Sequence, residues 1–459
     1  MFRTVLIANR GEIAVRVVRA CRELGIRSVV VHSTADRESE ALRLADDAVQ
    51  IGPAPARRSY LNPAAVMSAA LRVGADAIHP GYGFLSEDPD FAEICTAYGV
   101  TFIGPPAGLM RQLGDKAEAR RMMARAGLPT LPGSDGAVLD EATAQRVAED
   151  IGFPLIIKAV AGGGGRGMTV VHDPDDLVPA YRKTHADAVA LFGDGRVYLE
   201  RYIATARHVE VQVIADGRSN AIHLGERDCS VQRRHQKLLE ETPAPNLPAE
   251  LTERMNEMAV QGVRALGYTG AGTFEFLVDD DGRFTFMEIN CRIQVEHPVT
   301  EQVTGIDLVQ EQIKVAAGLP LSLTQQDVSR NGAAIECRVN TEDPERDFAP
   351  TAGTLTDYRP PGGPFTRVDS HAFTGWRVPA DYDSLLAKVV VWAPDRERAL
   401  VRMDRALGEM VVDGPGVCTT SEFLRKVLAD SSFREGSHTT SIVSQMAAAE
   451  RGRSALECG

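Results

Sequence analysis

Between Met287 and Pro298, Glu288, Asn290, Arg292, Gln294 and Glu296 alternate with Ile289, Cys291, Ile293, Val295 and His297. Strand side chains alternate faces with a period of two, so an extended chain here sets five hydrogen-bonding groups in one row over a mostly apolar back. Two carboxylates, two amides and a guanidinium in one row suit a lined site better than a plain solvated face. Just upstream, residues 273–288 read as a β-hairpin with Asp281-Gly282 at its turn, a favoured type I′ pair. With a two-residue loop Asp280 pairs with Arg283, and counting back along both strands sets Glu275 directly opposite Glu288. Like charges opposite one another on a sheet face are destabilising, and a cation between them removes the penalty. Oxygen ligands suit Mg²⁺ or Mn²⁺. The expectation is a divalent-cation site on Glu275 and Glu288, with Asn290 adding a carbonyl oxygen.

Other segments carry complementary chemistry. Pro154–Val160 is an apolar strand interrupted by Lys158, followed by the run Gly162, Gly163, Gly164, Gly165, Arg166, Gly167 and a second strand, Met168–Val171. The run satisfies G-x-G-x-x-G, but that fingerprint must open a helix, and here a strand follows. Glycines between two strands make a hairpin tip whose bare amides can close over phosphates, with Lys158 in reach of them. Arg207–Val213 alternates again, placing His208, Glu210 and Gln212 on one face. Residues 225–237 hold Arg227, Gln232, Arg233, Arg234, His235 and Lys237, a dense cationic loop suited to a small anion.

These groups need a scaffold, and 459 residues allow two to four domains. Fifty Lys and Arg against 63 Asp and Glu leave a net charge of −13, which argues against a nucleic-acid or acidic-membrane binder. Seven scattered cysteines without C-x-x-C spacing fit a reduced, cytoplasmic protein without structural zinc. No apolar run reaches spanning length. Residues 1–103 alternate strand and helix patterns: strand Thr4–Ala8, helix Glu12–Leu24 ending at Gly25, strand Ser28–His32. That is the pattern of a parallel α/β layer, with the Gly11 turn and the loop His79–Gly83 at its ligand end. A Pro-bounded helical connector spans 104–130, and a small unit spans 131–203. Residues 204–325 carry the hairpin and the polar row, with a helix over Thr300–Ala317. Residues 331–395 read as β-rich, and 396–447 as mostly helical.

The ordered set I-A-N-R-G-E-I-A, A-I-H-P-G-Y-G-F-L-S-E, G-D-K, I-I-K-A, G-G-G-G-R-G-M, R-H-V-E-V-Q-V, E-R-D-C-S-V-Q-R-R-H-Q-K, G-A-G-T-F-E-F, M-E-I-N and R-I-Q-V-E-H-P-V-T-E closely resembles the biotin carboxylases of the ATP-grasp superfamily, from about residue 3 to about 440. The resemblance implies a multidomain α/β and α+β protein: an N-terminal parallel α/β (pre-ATP-grasp) domain over 1–114, an ATP-grasp domain over 115–330 with a mobile lid at about 131–203, and a C-terminal β-rich biotin carboxylase domain over 331–447. It implies ATP, two Mg²⁺ (or Mn²⁺) ions, bicarbonate and carrier-bound biotin. Lys116, Lys158 and His208, with Gln232 and His235, look like nucleotide contacts; Glu200 and Ile203 lie beside the adenine. Gly162–Gly165 and Gly167 match the lid loop, and Glu275, Glu288 and Asn290 match the metal ligands. Lys237, Arg292, Gln294 and Val295 match the bicarbonate cradle, and Glu296 matches the base. Arg338 and Tyr82 face biotin. Ala161 shortens the usual glycine run.

The implied reaction is ATP-dependent carboxylation of biotin through carboxyphosphate, the first half-reaction of an acyl-CoA carboxylase. The alternatives are the equivalent subunit of a pyruvate carboxylase or another ATP-grasp carboxylate–amine ligase. The sequence carries no Met-Lys-Met biotin-attachment motif and no transferase domain. The expected partners are therefore a biotin carboxyl carrier protein and a carboxyltransferase subunit. A homodimer is implied by Arg19, Glu23 and Arg367.

Overall fold

The computed structural model of the chain describes residues 1–161, 165–218 and 220–457, with side chains described to residue 449. Short apolar runs separated by amphipathic helices build the first layer. Its strands are β1 (Thr4–Ile7), β2 (Arg27–Ser33), β3 (Asp47–Gly52), β4 (Ala77–His79) and β5 (Thr101–Phe102), all parallel in the order β3-β2-β1-β4-β5. Helix Gly11–Glu23 buries Ile13, Val17 and Ala20 in a core shared with Ile293, Leu308 and Ile313. This contact carries Glu12 and Arg16 inward, where both are buried.

A small antiparallel sheet follows, in the order β7-β6-β8, from β6 (Leu155–Ala159), β7 (Met168–Val171) and β8 (Val197–Arg201). Helices Glu141–Ile151 and Leu177–Phe192 cover it. Ala144, Ile151, Leu155, Ile157, Leu177 and Leu199 form a hydrophobic cluster of this unit's own.

The largest sheet is antiparallel. Its strands are β9 (Ala206–Ala215), β10 (Ala221–Arg233), β11 (Gln236–Thr242), β12 (Gly270–Asp279), β13 (Phe284–Asn290), β14 (Ala333–Asn340), β18 (Thr366–Ser370) and β19 (Leu385–Ala393). Two short pairs lie beside it, β15 (Glu342–Asp343) with β16 (Ala349–Pro350), and β17 (Asp357–Arg359) with β20 (Val411–Asp413). The order β13-β12-β9-β10-β11-β14-β19-β18 puts five strands before residue 330 and three after it on one continuous ladder. Val209, Val211, Val213, Phe274 and Phe276 face helix Ala249–Leu266 in a single core. Alternation sends His208, Glu210, Gln212 and Glu275 to the opposite face.

Four local expectations change. The polar row is not one strand: β13 stops at Asn290, the chain bends at Cys291-Arg292 and turns at Val295-Glu296, and helix His297–Thr304 begins. Pro298 in that helix's first turn explains the switch, since proline suits a position whose N–H has no partner. The helix expected over Thr300–Ala317 is two helices, His297–Thr304 and Leu308–Ala316. Gly305, at φ +71°, ends the first, and the Asp307 carboxylate caps the second by accepting from Gln310 N. The cationic loop is a hairpin, β10–β11, whose two-residue tip is Arg234-His235 with φ of +49° and +65°. That is the type I′ geometry expected at Asp281-Gly282. The β12–β13 loop instead has three residues, because Asp279 N donates to Arg283 O.

Candidate active site

The pairing of Glu275 with Glu288 holds although its turn is miscounted. One residue is added in the loop, and one is bulged at Met287, between the pairs Phe276–Phe286 and Glu275–Glu288. The two offsets cancel, and Glu275 lies directly opposite Glu288, with Thr273 opposite Asn290. A bulge commonly re-aims side chains at a site.

Lysines compensate the opposed carboxylates. Lys116 Nζ is bound to Glu288 Oε2. Lys237 Nζ, from β11, lies 3.0 Å from Glu275 Oε1, 2.6 Å from Glu210 Oε2 and 2.7 Å from Glu296 Oε1. Burial alone would lower the Lys237 ammonium, but these three glutamates hold its pKa well above the usual lysine value. Glu275 also accepts from Asn290 Nδ2 at 2.8 Å and Gln294 Nε2 at 3.1 Å, and His208 Nε2 lies 3.1 Å from its Oε2. Burial would push the Glu275 carboxyl up, yet Lys237 and His208 hold it well below the ordinary range. Two opposed carboxylates with an adjacent amide oxygen are a hard-oxygen donor set, and the two ammonium groups sit where divalent charge would be needed. The residues therefore fit Mg²⁺ or Mn²⁺.

Glu296 is fully buried at the N-cap of its helix. Besides Lys237 it meets Arg338 Nη2 at 2.8 Å and Cys229 Sγ at 3.8 Å. Burial would raise its carboxyl, but Lys237, Arg338 and Arg227 hold it well below the usual range. Arg292 joins two other members of the row to Glu87. Its Nη1 donates to Gln294 Oε1 at 2.6 Å, its Nη2 to Asn290 Oδ1 at 3.0 Å, and its Nε to Glu87 Oε2 at 3.0 Å. Bends rather than strand pleating thus gather the five polar residues of the row. The Val295 carbonyl accepts from Lys388 Nζ at 2.8 Å. The Tyr82 hydroxyl donates to the Glu12 carboxylate, in a loop that Asn9 Nδ2 holds by donating to Pro80 O and Tyr82 O at 2.7 and 2.8 Å.

The remaining residues lie where the small sheet meets the large one. Lys158 Nζ is 2.7 Å from Glu200 Oε2 on the neighbouring strand β8, and Ile203 is half-buried two residues past that strand's end. Gln232 Nε2 is 2.6 Å from His208 Nδ1. His235 stands at the β10–β11 tip, and a Cβ on Gly165 would come within 2.4 Å of His235 Cβ, so Gly165 and the hairpin tip touch. Gly162, Gly163 and Gly164 lie outside the described residues. Gly167 has φ +68°.

Other residues join the site through contacts that the sequence expectations do not give them. Arg227 is fully buried, donates to Glu210 Oε1 at 2.7 Å and to Gln212 Oε1 at 2.8 Å, and so ties Lys237's partner down. Glu87 accepts from Cys291 N and Arg292. Glu240 pairs with Arg338. The signal for Glu210 was on the β9 face; Glu87 and Glu240 are far in sequence from the groups they hold, so no local pattern points to them. Arg233 and Arg234 turn away to Asp347, so the cationic segment is divided rather than one anion site.

Residues 1–110 match the family "Biotin carboxylase, N-terminal domain", residues 115–324 the "Carbamoyl-phosphate synthase L chain, ATP binding domain", and residues 336–445 the "Biotin carboxylase C-terminal domain". The chain is 52% identical to biotin carboxylase of Nostoc sp. over 97% of its own length and 99% of the relative's. It is 51% identical to biotin carboxylase 1 of Bacillus subtilis over 96% and 98%. Among solved structures, the biotin carboxylase domain dimer of Hydrogenobacter thermophilus 2-oxoglutarate carboxylase, in complex with MgADP, ADP and bicarbonate, superposes with a TM-score of 0.94 at 46% identity, over 97% of this chain and 98% of that one. A biotin carboxylase–β-γ-ATP complex from Campylobacter jejuni superposes at 0.95, also with 46% identity, over 97% and 99%. A three-part match along nearly the whole chain, on an ATP-grasp framework with opposed carboxylates at its centre, places this protein in the biotin carboxylase family.

Proposed function

We propose that the cluster around Lys237 is where bicarbonate meets the γ-phosphate of ATP and where biotin then takes the carboxyl group. The observation that carries this is the sharing of Lys237 and Arg338 by Glu296: the base is stored next to the cations that must bind its substrate. The chain is a biotin carboxylase, an ATP-dependent ligase that forms a C–N bond in the first half-reaction of biotin-dependent carboxylation.

Lys116, Lys158, His208, Gln232 and His235 hold the nucleotide phosphates and ribose, with Glu200 and Ile203 at the adenine. Gly162–Gly165 and Gly167 close over the phosphates and keep water from a labile carboxyphosphate. Glu275, Glu288 and Asn290 would hold Mg²⁺ or Mn²⁺, which neutralises charge on the transferring phosphoryl group. Lys237, Arg292, Gln294 and Val295 cradle bicarbonate. As Lys237 turns from Glu296 to bicarbonate, Glu296 loses the cation that most depresses its proton affinity. The carboxylate thereby becomes a stronger base where it must take the bicarbonate proton. Carboxyphosphate then yields CO₂ and phosphate, and the phosphate takes the N1′ proton of biotin. Tyr82 borders biotin, and Arg338 holds the charge that develops on the ureido oxygen.

Biotin arrives on a carrier protein, a carboxyltransferase takes the product, and two copies of the chain pair through the C-terminal region. The protein works in the cytoplasm; among the described residues no helix is long and apolar enough to cross a membrane. Labelled bicarbonate provides the test. Label should enter biotin only when ATP, Mg²⁺ and bicarbonate are all present, and ATP turnover without label in biotin would overturn the assignment. A second reading, with a 2-oxo acid as final acceptor in place of an acyl-CoA, draws support from 49% identity to a pyruvate carboxylase component of Methanothermobacter thermautotrophicus. Mass spectrometry of the transferase that co-purifies with the native protein decides between them.

A further inference from the structure

Glu240 on β11 lies directly opposite Glu336 on β14, and both side chains are fully buried. Leu239 pairs with Cys337, so Glu240, Glu336 and Arg338 share one face of the sheet. This is a second pair of opposed carboxylates, and it is compensated differently from Glu275 and Glu288. Arg338 Nη2 lies 2.5 Å from Glu240 Oε1 and 2.8 Å from Glu296 Oε2, so one guanidinium nitrogen is divided between two glutamates. Among the described residues no hydrogen-bond donor meets either oxygen of Glu336 or of Glu240, whose contact with Arg338 is an ion pair, and Arg338 Nε has no acceptor. Lys388, opposite Arg338 on β19, spends its ammonium on Val295 O at 2.8 Å and Glu12 Oε1 at 3.0 Å.

Two buried carboxylates facing each other without a cation between them do not both ionise; a proton stays on the pair. Burial pushes Glu336 well above the carboxylate range despite Lys388. Burial also pushes Glu240 up to about 7, against the pull of Arg338. The charged and titratable groups that face Glu240 are Glu336 and Arg338 on β14, Lys237 on β11, Cys229 on β10 and Glu296 ahead of its helix, with Cys337 next to Glu336 but on the opposite face.

We propose that Glu240, with Glu336 opposite it, is a positioning residue for biotin carboxylation: it competes with the biotin ureido oxygen for the Arg338 guanidinium. The proposal rests on the assignment of Arg338 to that oxygen. When Glu240 is neutral its hold on Arg338 is weak, and the guanidinium is free to turn to biotin. When Glu240 ionises, a full charge retains Arg338 and biotin binds less well. In the substrate-free protein Lys237 and Arg338 hold the Glu296 carboxyl well below the usual range, so the pH dependence assigned to Glu240 is read from the difference between the parent and Glu240→Gln profiles.

The test is the KM for free biotin between pH 6 and pH 8, at saturating MgATP and bicarbonate. In the parent protein KM should rise about tenfold over this interval, the change expected for a competing group that ionises near 7. In Glu240→Gln, whose amide does not titrate, KM should stay constant within about twofold. Glu336→Gln places an amide donor opposite Glu240, favours its ionised form, and should move the rise to lower pH. Superimposable KM profiles for parent and Glu240→Gln would overturn the proposal, and so would a rise at higher pH in Glu336→Gln. Should Glu240→Gln fail to fold, the Glu336→Gln profile decides alone. Arg338→Gln separates the two levels of the argument. If it keeps the biotin-dependent rate, the assignment of Arg338 itself falls. If it loses that rate while Glu240→Gln retains the parent profile, only the role of Glu240 falls.

Discussion

Lys237 touches three carboxylates, and one ammonium cannot neutralise them all. Arg227 supports Glu210, His208 supports Glu275 and Arg338 supports Glu296, so each acid has a second partner. Substrates therefore need not create charge complementarity here; they exchange partners within an existing set. Glu296→Ala removes the acid that has no part in holding nucleotide. Biotin carboxylation should fall by at least about a hundredfold, the usual scale of a positioned base, while the MgATP Kd stays within about threefold. Near-normal turnover in that variant, measured with labelled bicarbonate, would discard Glu296 as the base. Glu288→Lys should behave differently, because it adds a second ammonium beside Lys116 where the proposed divalent ion would sit. It should weaken MgATP binding by about tenfold or more and lower the rate as well. An unchanged calorimetric Kd would move the ion away from Glu288.

At the scale of elements, periodicity made the strands legible where one face is apolar. In β9 the valines at 209, 211 and 213 fill the core and the residues between them point to the site. Periodicity was less informative where the chain changes state. The row from Glu288 to Glu296 keeps its alternation through a strand end, a bend and a helix start, because convergence on one site imposes the polar residues whatever the backbone does. The Glu275–Glu288 pairing was legible although its turn was not: the extra loop residue and the Met287 bulge offset one another, and neither has a composition signal. Conversely, Arg234-His235 adopts the doubly positive φ of a type I′ turn without glycine or asparagine, held by the ladder on either side. That tip meets Gly165, at φ +71°, where a side chain would collide with His235 and be strained as well. Gly165→Val should therefore hinder closure of the glycine loop on the hairpin. We expect kcat for carboxylation to fall about tenfold, with more ATP hydrolysed per biotin carboxylated, as water reaches the intermediate. Unchanged coupling between ATP use and biotin carboxylation would show that this contact plays no part in closure.

At the scale of the whole molecule, one carboxylate joins segments that are far apart in sequence. Glu301, in helix His297–Thr304, is paired with Arg16 of helix Gly11–Glu23 at 2.8 Å and with Arg367 of β18 at 2.6 Å. The parallel layer and the far edge of the eight-stranded sheet are thus tied through the helix that Glu296 caps. Burial alone would raise the Glu301 carboxyl, but Arg16, His297 and Arg367 outweigh it and hold it at about 2. A folded-state pKa below the unfolded value stabilises the protein above the unfolded pKa, and that stabilisation is lost as pH falls toward the folded one. The gap from an unfolded value of 4.5 corresponds to about 3 kcal/mol at pH 7, of which about 2 kcal/mol should be gone by pH 3. Glu301→Gln removes this dependence and leaves Arg16 and Arg367 with one partner fewer. In urea unfolding the variant should be less stable than the parent by about 3 kcal/mol at pH 7, and the difference should shrink steadily on acidification. A difference that stayed constant from pH 7 to pH 3 would show that Glu301 contributes through packing, and that its charge does not join these segments.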